Sequence, residues 1–121
     1  KKLYKETVYL DPVEIAQDMT NILKNEQHCD LVICLSHLGY FYKRTPDYIC
    51  DLNLAKNTKN IDLIIGGHTH TFLKKPTVVR NLDDQNLLVN QVGCWGVNMG
   101  RIDFIFDEHK NISSKGTSII V

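Results

Sequence analysis

The chain has 121 residues, with 14 basic and 14 acidic side chains and therefore no net charge. This balance predicts neither a nucleic-acid-binding surface nor a polybasic membrane patch, and no apolar run approaches the ~20 residues of a membrane-spanning helix. The length suits one domain, or one lobe of a larger domain.

The chain opens with a predicted strand and a predicted helix. Residues 4–10 alternate weakly and are interpreted as a short strand. Residues 11–26 predict a helix, because Asp11 can cap it, Pro12 suits the first helical position and Glu14 completes a capping-box-like pair. Its apolar stripe at helical spacing consists of Ile15, Ala16, Met19, Ile22 and Leu23.

Two apolar runs and a second helix follow. Residues 30–36 and 61–65 are nearly continuous apolar runs, which are typical of strands covered on both faces. Between them, residues 45–57 predict a helix with Thr45 as its cap and Pro46 just inside it. We expect the two strands to be adjacent and parallel, joined by a right-handed crossover.

The remainder of the chain predicts strands only. These short runs are separated by turn residues and cover 77–81, 86–92, 101–107 and 117–121. The chain is therefore predicted to be an α/β protein, β-α-β-α-β followed by antiparallel strands. We expect the two helices to pack on one side of the sheet, and the later strands to form a second sheet or its edge.

The two apolar runs share a layout that ends in histidine. Asp30 precedes the first run and His37 follows it, while Asp62 precedes the second run and His68 and His70 follow it. Ligands bind at the carboxyl ends of strands in open α/β sheets. If the two strands are neighbours, the three histidines converge on one place.

Metal binding is one interpretation of these histidines, since neutral imidazole is the commonest protein metal ligand. Gly66 and Gly67 precede His68 and His70, and glycine permits close approach to the backbone. The alternative is that the histidines lie on the surface or are only hydrogen-bonded, and the segment around His37 could equally be a capping motif.

The other candidate residues favour structural roles. Asp30 and Asp62 are interpreted as solvated turn acids, His109 as a solvated turn residue, and His28 as a partner of a helix C-terminus. Trp95 could pack in the core or line a cleft, and we favour packing. The four cysteines include no Cys-x-x-Cys pair, so a zinc ribbon or thioredoxin-like motif is not predicted.

Four segments resemble one family, in the family's order and spacing. They are "LDPVEIAQDMTNIL", "CDLVICLSHLGY", "NIDLIIGGHTHTFL" and "VNQVGCWGVNMGRIDF". The chain resembles the metallophosphatase domain of 5'-nucleotidases, within the calcineurin-like metallophosphoesterases. The resemblance implies part of a four-layer α-β-β-α sandwich.

The resemblance also implies a site with two divalent metal ions, Zn, Mn or similar. It assigns His37 and His68 to one metal and His70 to the other. The family's remaining ligands, in Asp-x-His, Gly-Asp and Gly-Asn-His segments, and its catalytic His-Asp pair lie upstream, and this chain does not supply them. No catalytic residue is therefore assigned here, and the substrate-binding residues are unknown.

We accordingly expect residues 1–121 to be the C-terminal half of a metallophosphatase domain, from a longer and periplasmic or secreted protein. The parent would hydrolyse the phosphate monoester of nucleotides, with the upstream half of the same domain as partner and this chain inactive alone. Alternatives are a cyclic nucleotide phosphodiesterase, a UDP-sugar hydrolase, an enzyme acting on a sulfur-bearing ester, or a non-catalytic metal-binding or assembly lobe.

Overall fold

The computed structural model describes residues 6–120. Its elements, in chain order, are α1 (Pro12–Asn21) continued by a π-helix (Ile22–Glu26), β1 (Ile33–Leu35), α2 (Asp51–Lys56), β2 (Leu63–Ile65), β3 (Thr77–Arg80), β4 (Asn86–Asn90), β5 (Asn98–Phe106) and β6 (Ile112–Ile120). No helix among these residues is long and apolar enough to cross a membrane.

The strands form a four-stranded mixed sheet and a separate hairpin. The order of the sheet is β1-β2-β4-β3, and β5 and β6 form a two-stranded antiparallel sheet. β1 and β2 are adjacent and parallel, with Ile33 opposite Leu63, as predicted. β4 also runs parallel to β2, so the expectation that the later strands form only antiparallel hairpins was wrong for this strand. The α/β class is confirmed.

The N-terminus of α1 is capped as its sequence predicts. The Asp11 carboxylate accepts hydrogen bonds from the backbone N–H groups of Val13, at 2.8 Å, and Glu14, at 3.2 Å. These bonds satisfy donors that a helix cannot satisfy internally. The predicted apolar stripe is only partly used, because Ile15 and Met19 remain exposed.

The core lies on one face of the sheet, beneath both helices. Its fully or nearly fully buried members are Leu54, Ala55, Ile61, Ile64, Val79, Leu87 and Val89. Leu54 and Ala55 come from α2, while Val13 and Ala16 of α1 pack against the same cluster. Both helices therefore pack on one side, as predicted.

The opposite face of the sheet is covered only in part. Gly100 of β5 lies so close to β4 that a Cβ atom there would be 2.9 Å from Asn90 Nδ2, so the hairpin lies over that strand. On β1, Ile33 is exposed and Leu35 is 80% exposed. The prediction that 30–36 is covered on both faces was therefore wrong for the described residues.

The second helix is shorter than predicted. Instead of covering 45–57 with Thr45 as its cap, α2 begins at Asp51. The Pro46 carbonyl accepts a hydrogen bond from the Asn53 side-chain amide at 2.9 Å, which holds the preceding segment as turns rather than as helix. This contact links the turns to the helix itself, and helix propensity alone does not predict it.

The terminal strands also differ from their predictions. Residues 6–10 form no strand, and residues 4 and 5 of that predicted element lie outside the described residues. β5 and β6 pair over nine residues each, from Asn98 opposite Ile120 to Phe106 opposite Ile112. Serine and glycine positions in β6 have weak strand propensity, so the sequence predicted only the apolar end, 117–121, of which residue 121 is not described.

Candidate functional site

The predicted histidines follow the carboxyl ends of neighbouring parallel strands. His37 lies two residues beyond β1, and the Gly66–His70 segment begins directly after β2. Gln91 begins the segment after β4, which is the next strand of the same sheet. The parallel pairing therefore brings the three segments to one edge of the sheet, where α/β folds bind ligands.

His37 and His68 lie next to each other at this edge. Their ring centroids are 5.4 Å apart and the rings meet edge to face, at 73°. Two imidazoles that share one tetrahedral metal, at about 2 Å from each nitrogen, have centroids about 5 Å apart. Both side chains are exposed, and the separation of their rings is close to that of two imidazoles on one metal ion.

The two glycines permit close side-chain approach to the backbone. A Cβ atom on Gly67 would lie 2.8 Å from His37 Nδ1, closer than ordinary van der Waals contact. A Cβ atom on Gly66 would overlap the carboxylate of Asp51. Glycine at both positions therefore leaves space beside the backbone, as expected. The side chain of Asp51 occupies this space at Gly66, and that of His37 occupies it at Gly67.

Asp51 is a buried carboxylate behind the histidines. Its Oδ1 accepts a hydrogen bond from Ser36 Oγ at 2.5 Å. Its Oδ2 is buried with no hydrogen-bond partner among residues 6–120. Burial raises the pKa of Asp51 above its ordinary value of 3.8, while the hydrogen bond from Ser36 and the charge of His37 act in the opposite direction. Asp51 thus contacts both Ser36, the residue before His37, and Gly66, the first residue of the segment that carries His68 and His70.

The backbone of the histidine segment is in an unusual conformation. His68 has φ 70° and His70 has φ 51°, both in the left-handed region. Residues other than glycine seldom adopt it, and such outliers cluster at functional sites. Gln91 makes hydrogen bonds to the residues on either side of each histidine.

Sequence reasoning missed Asp51 and Gln91. Asp51 had no distinguishing signal, because it lay within the helix predicted at 45–57. Asn90 and Gln91 interrupt an otherwise apolar run, "NLLVNQV", and both are buried. Buried polar side chains are hydrogen-bonded as a rule, so this interruption could have indicated a structural polar contact.

Metal-ligand clusters of three or more His, Cys, Asp or Glu side chains do not occur among the described residues. The structure brings His37 and His68 together, and His70 does not join them in a single group. His70 lies two residues further along the same segment and is exposed.

The remaining candidates have mixed outcomes. Asp62 is not a solvated turn acid, because its carboxylate accepts hydrogen bonds from the Val32 backbone N–H, at 2.8 Å, and from Lys24 Nζ, at 3.1 Å. Trp95 is 88% exposed, so the preference for packing was wrong in the described part of the chain. His28 is exposed beyond the π-helix.

One Asp-x-His string occurs in the chain, at Asp107–His109, but it forms the turn between β5 and β6. Asp107 caps this turn with hydrogen bonds to backbone N–H groups, and His109 is 79% exposed, as predicted. Lys110 Nζ lies 2.8 Å from Asp30 Oδ1, and Asp30 precedes β1. This turn is therefore near the amino end of β1, opposite the edge that carries His37.

Comparison with known proteins identifies relatives over nearly the whole chain. No model of a protein family matches it. The trifunctional nucleotide phosphoesterase protein YfkN of Bacillus subtilis is 36% identical over 117 residues, which cover 97% of this chain and 7% of that protein. The crystal structure of a 5'-nucleotidase precursor from Thermus thermophilus superposes with a TM-score of 0.78 and 31% identity, covering 93% of this chain and 23% of that one.

The chain belongs to the 5'-nucleotidase family. A snake venom 5'-nucleotidase of Gloydius brevicauda is 29% identical, with 93% of this chain and 20% of that protein covered. The chain thus spans less than a quarter of the length of these 5'-nucleotidase family members.

Proposed function

We propose that residues 1–121 are the C-terminal half of a metallophosphatase domain, whose parent protein hydrolyses the phosphate monoester of nucleotides with two divalent metal ions. The observation that carries this proposal is the contact between the His37 and His68 imidazoles at the carboxyl ends of two adjacent parallel strands. The names of the relatives support a nucleotide as the substrate.

The roles of the histidines in this proposal follow from their positions. His37 and His68 hold one metal, Zn, Mn or similar, and His70 binds the other. When bound, such metals activate a water molecule and neutralise charge on the phosphate oxygens. The chain's own contribution is to place the imidazoles of His37 and His68 side by side at an open edge of the sheet.

The exposed apolar face of the sheet supports an upstream half-domain as partner. Ile33, Leu35 and Ile65 are exposed on β1 and β2, and Leu35 lies two residues from His37. Burying exposed apolar surface stabilises association by about 25 cal/mol per Å². A partner that covers this face would also border the histidine edge, where the ligands that this chain does not supply are needed.

Histidine variants of the parent protein test the assignment. We expect His37→Ala and His68→Ala to weaken the same metal, and His70→Ala the other, each at least 10-fold, because even changes next to a ligand typically cost ~10–100-fold. The measurements are metal stoichiometry and phosphate release from AMP. His109→Ala is the control, since His109 is exposed in a distant turn. Full metal occupancy in His68→Ala would contradict the assignment.

The isolated chain and a substrate panel test the remaining parts. We expect no metal-dependent phosphate release from AMP by residues 1–121 alone, and restored turnover when the upstream half is added. In the parent, cyclic nucleotides and UDP-sugars should be poorer substrates than 5'-mononucleotides. Absence of hydrolysis of all three by the parent would favour a non-catalytic lobe.

A periplasmic or secreted location is proposed for the parent. It is supported by a venom protein among the relatives. Fractionation of the source cells, with an antibody against this chain, would test it.

A further inference from the structure

We infer that Gln91 is a positioning residue, whose side-chain amide fixes the backbone of the His68–His70 segment and thereby sets the directions of both imidazoles. Gln91 follows β4, and its side-chain hydrogen bonds go to Gly67, Thr69 and Thr71 rather than to the histidine rings; it acts through the segment that carries both histidines. The part of the inference that concerns metal rests on the proposed function, whereas the part that concerns the backbone does not.

The Gln91 amide makes three hydrogen bonds to this segment. Its Nε2 donates to the carbonyl oxygen of Gly67 at 2.5 Å. Its Oε1 accepts from the Thr69 hydroxyl at 3.0 Å and from the backbone N–H of Thr71. Donor and acceptor are thus both used, which a carboxylate or an apolar side chain of the same size could not achieve.

These bonds alternate with the histidines along the chain. Residues 67, 69 and 71 are tied to Gln91, while the residues between them, His68 and His70, have φ values of 70° and 51°. Left-handed backbone at a non-glycine residue is unfavourable and persists only when the surroundings hold it in place. The three hydrogen bonds from the buried Gln91 amide can hold His68 and His70 in this conformation.

The amide itself cannot move freely. Gln91 is only 2% exposed. Its backbone oxygen accepts a hydrogen bond from the Leu73 N–H at 3.1 Å, which holds its main chain beside the same segment. The Thr69 hydroxyl in turn accepts from the backbone N–H of Tyr40, at 2.9 Å, in the segment that follows His37. Gln91 therefore connects both histidine-bearing segments into one rigid unit.

Amide hydrogen exchange in the metal-free parent protein tests the backbone part. The Thr71 N–H bonds to the Gln91 side chain, whereas the Leu73 N–H bonds to its main chain. In Gln91→Met, exchange at Thr71 should be at least ~10-fold faster, because its acceptor is removed, while Leu73 stays protected. Gln85→Met, in an exposed turn, is the matched control and should leave both amides unchanged.

Zinc affinity, measured by competition with a chelator, tests the consequence for the imidazoles. We expect Gln91→Met to weaken zinc ~10–100-fold, as other changes behind a ligand do. Gln91→Glu keeps an acceptor for Thr71 but places a carboxylate oxygen against the carbonyl oxygen of Gly67. Exchange at Thr71 should therefore be slower than in Gln91→Met, while zinc affinity should still fall at least ~10-fold.

The outcomes separate the two proposals. Unchanged exchange at Thr71, or unchanged zinc affinity in a wild type that binds zinc, would overturn the inference. If Leu73 also loses protection in Gln91→Met, that variant has lost its fold locally and Gln91→Glu decides by the same criteria. A wild type that binds no zinc would refute the metal proposal, and Thr71 exchange would still decide whether Gln91 fixes the segment.

Discussion

Replacing Gly67 by alanine should displace the His37 imidazole and little else. The added Cβ atom would lie 2.8 Å from His37 Nδ1 and 3.3 Å from Cε1, with the next atom at 3.7 Å. Gly67 does not have a left-handed φ, so alanine is sterically acceptable to the backbone itself. The substitution therefore acts almost entirely on one ring.

The size of the effect follows from the displacement. The Nδ1 atom must retreat by about 0.6 Å to reach ordinary contact distance, which exceeds the ~0.2 Å tolerance of metal–ligand distances. We expect the metal ion that we propose for His37 and His68 to bind ~10–100-fold more weakly, or about 1.4–2.7 kcal/mol. The free energy of unfolding should change by less than about 1 kcal/mol, because His37 is exposed and alanine lowers the entropy of the unfolded chain.

A double-mutant cycle in the parent protein tests this reasoning. Metal affinity is measured for wild type, Gly67→Ala, His37→Ala and the double variant, with urea unfolding of each metal-free protein alongside. Once the His37 ring is absent, the added methyl group has nothing to displace, so Gly67→Ala should then have almost no further effect. An equal loss of affinity in both backgrounds would refute the reasoning, because it would mean that the methyl group acts elsewhere.

Three further expectations concern stability. Gly66→Ala should destabilise the metal-free protein by about 3 kcal/mol or more in urea unfolding, because its Cβ atom would overlap the buried Asp51 carboxylate. Since burial raises the pKa of Asp51, the folded state binds that proton more tightly than the unfolded state; stability should decline as the pH rises above about 4, and Asp51→Asn should remove that part of the decline. Asp11→Ala should cost about 1 kcal/mol through loss of the cap on α1, whereas Asp11→Asn should retain most of it, as thermal unfolding would measure.

The features that the sequence predicts well are those whose signals are local. The cap at Asp11 depends on residues two and three positions away, and the apolar runs before His37 and His68 predict adjacent parallel strands without further information. The convergence of these histidines then follows from sheet geometry. Predicting this convergence requires no information about side-chain contacts.

The features that it does not predict depend on contacts between distant segments. Nothing near Asp51 in the chain indicates that its carboxylate lies against Gly66, fifteen residues away, or that a buried amide at Gln91 holds the histidine segment. The exposure of Trp95 is also not a local property, because the burial of an aromatic side chain depends on which distant segments pack against it.

β1 is the outermost strand of its sheet in the described part of the chain, and it carries an 80% exposed leucine. An open strand edge beside exposed apolar side chains is a template for pairing with another copy. Recombinant residues 1–121 should consequently self-associate as concentration rises, with a loss of soluble yield. A charge placed on that edge, as in Leu35→Lys, would be the first change to make for a soluble form of this segment.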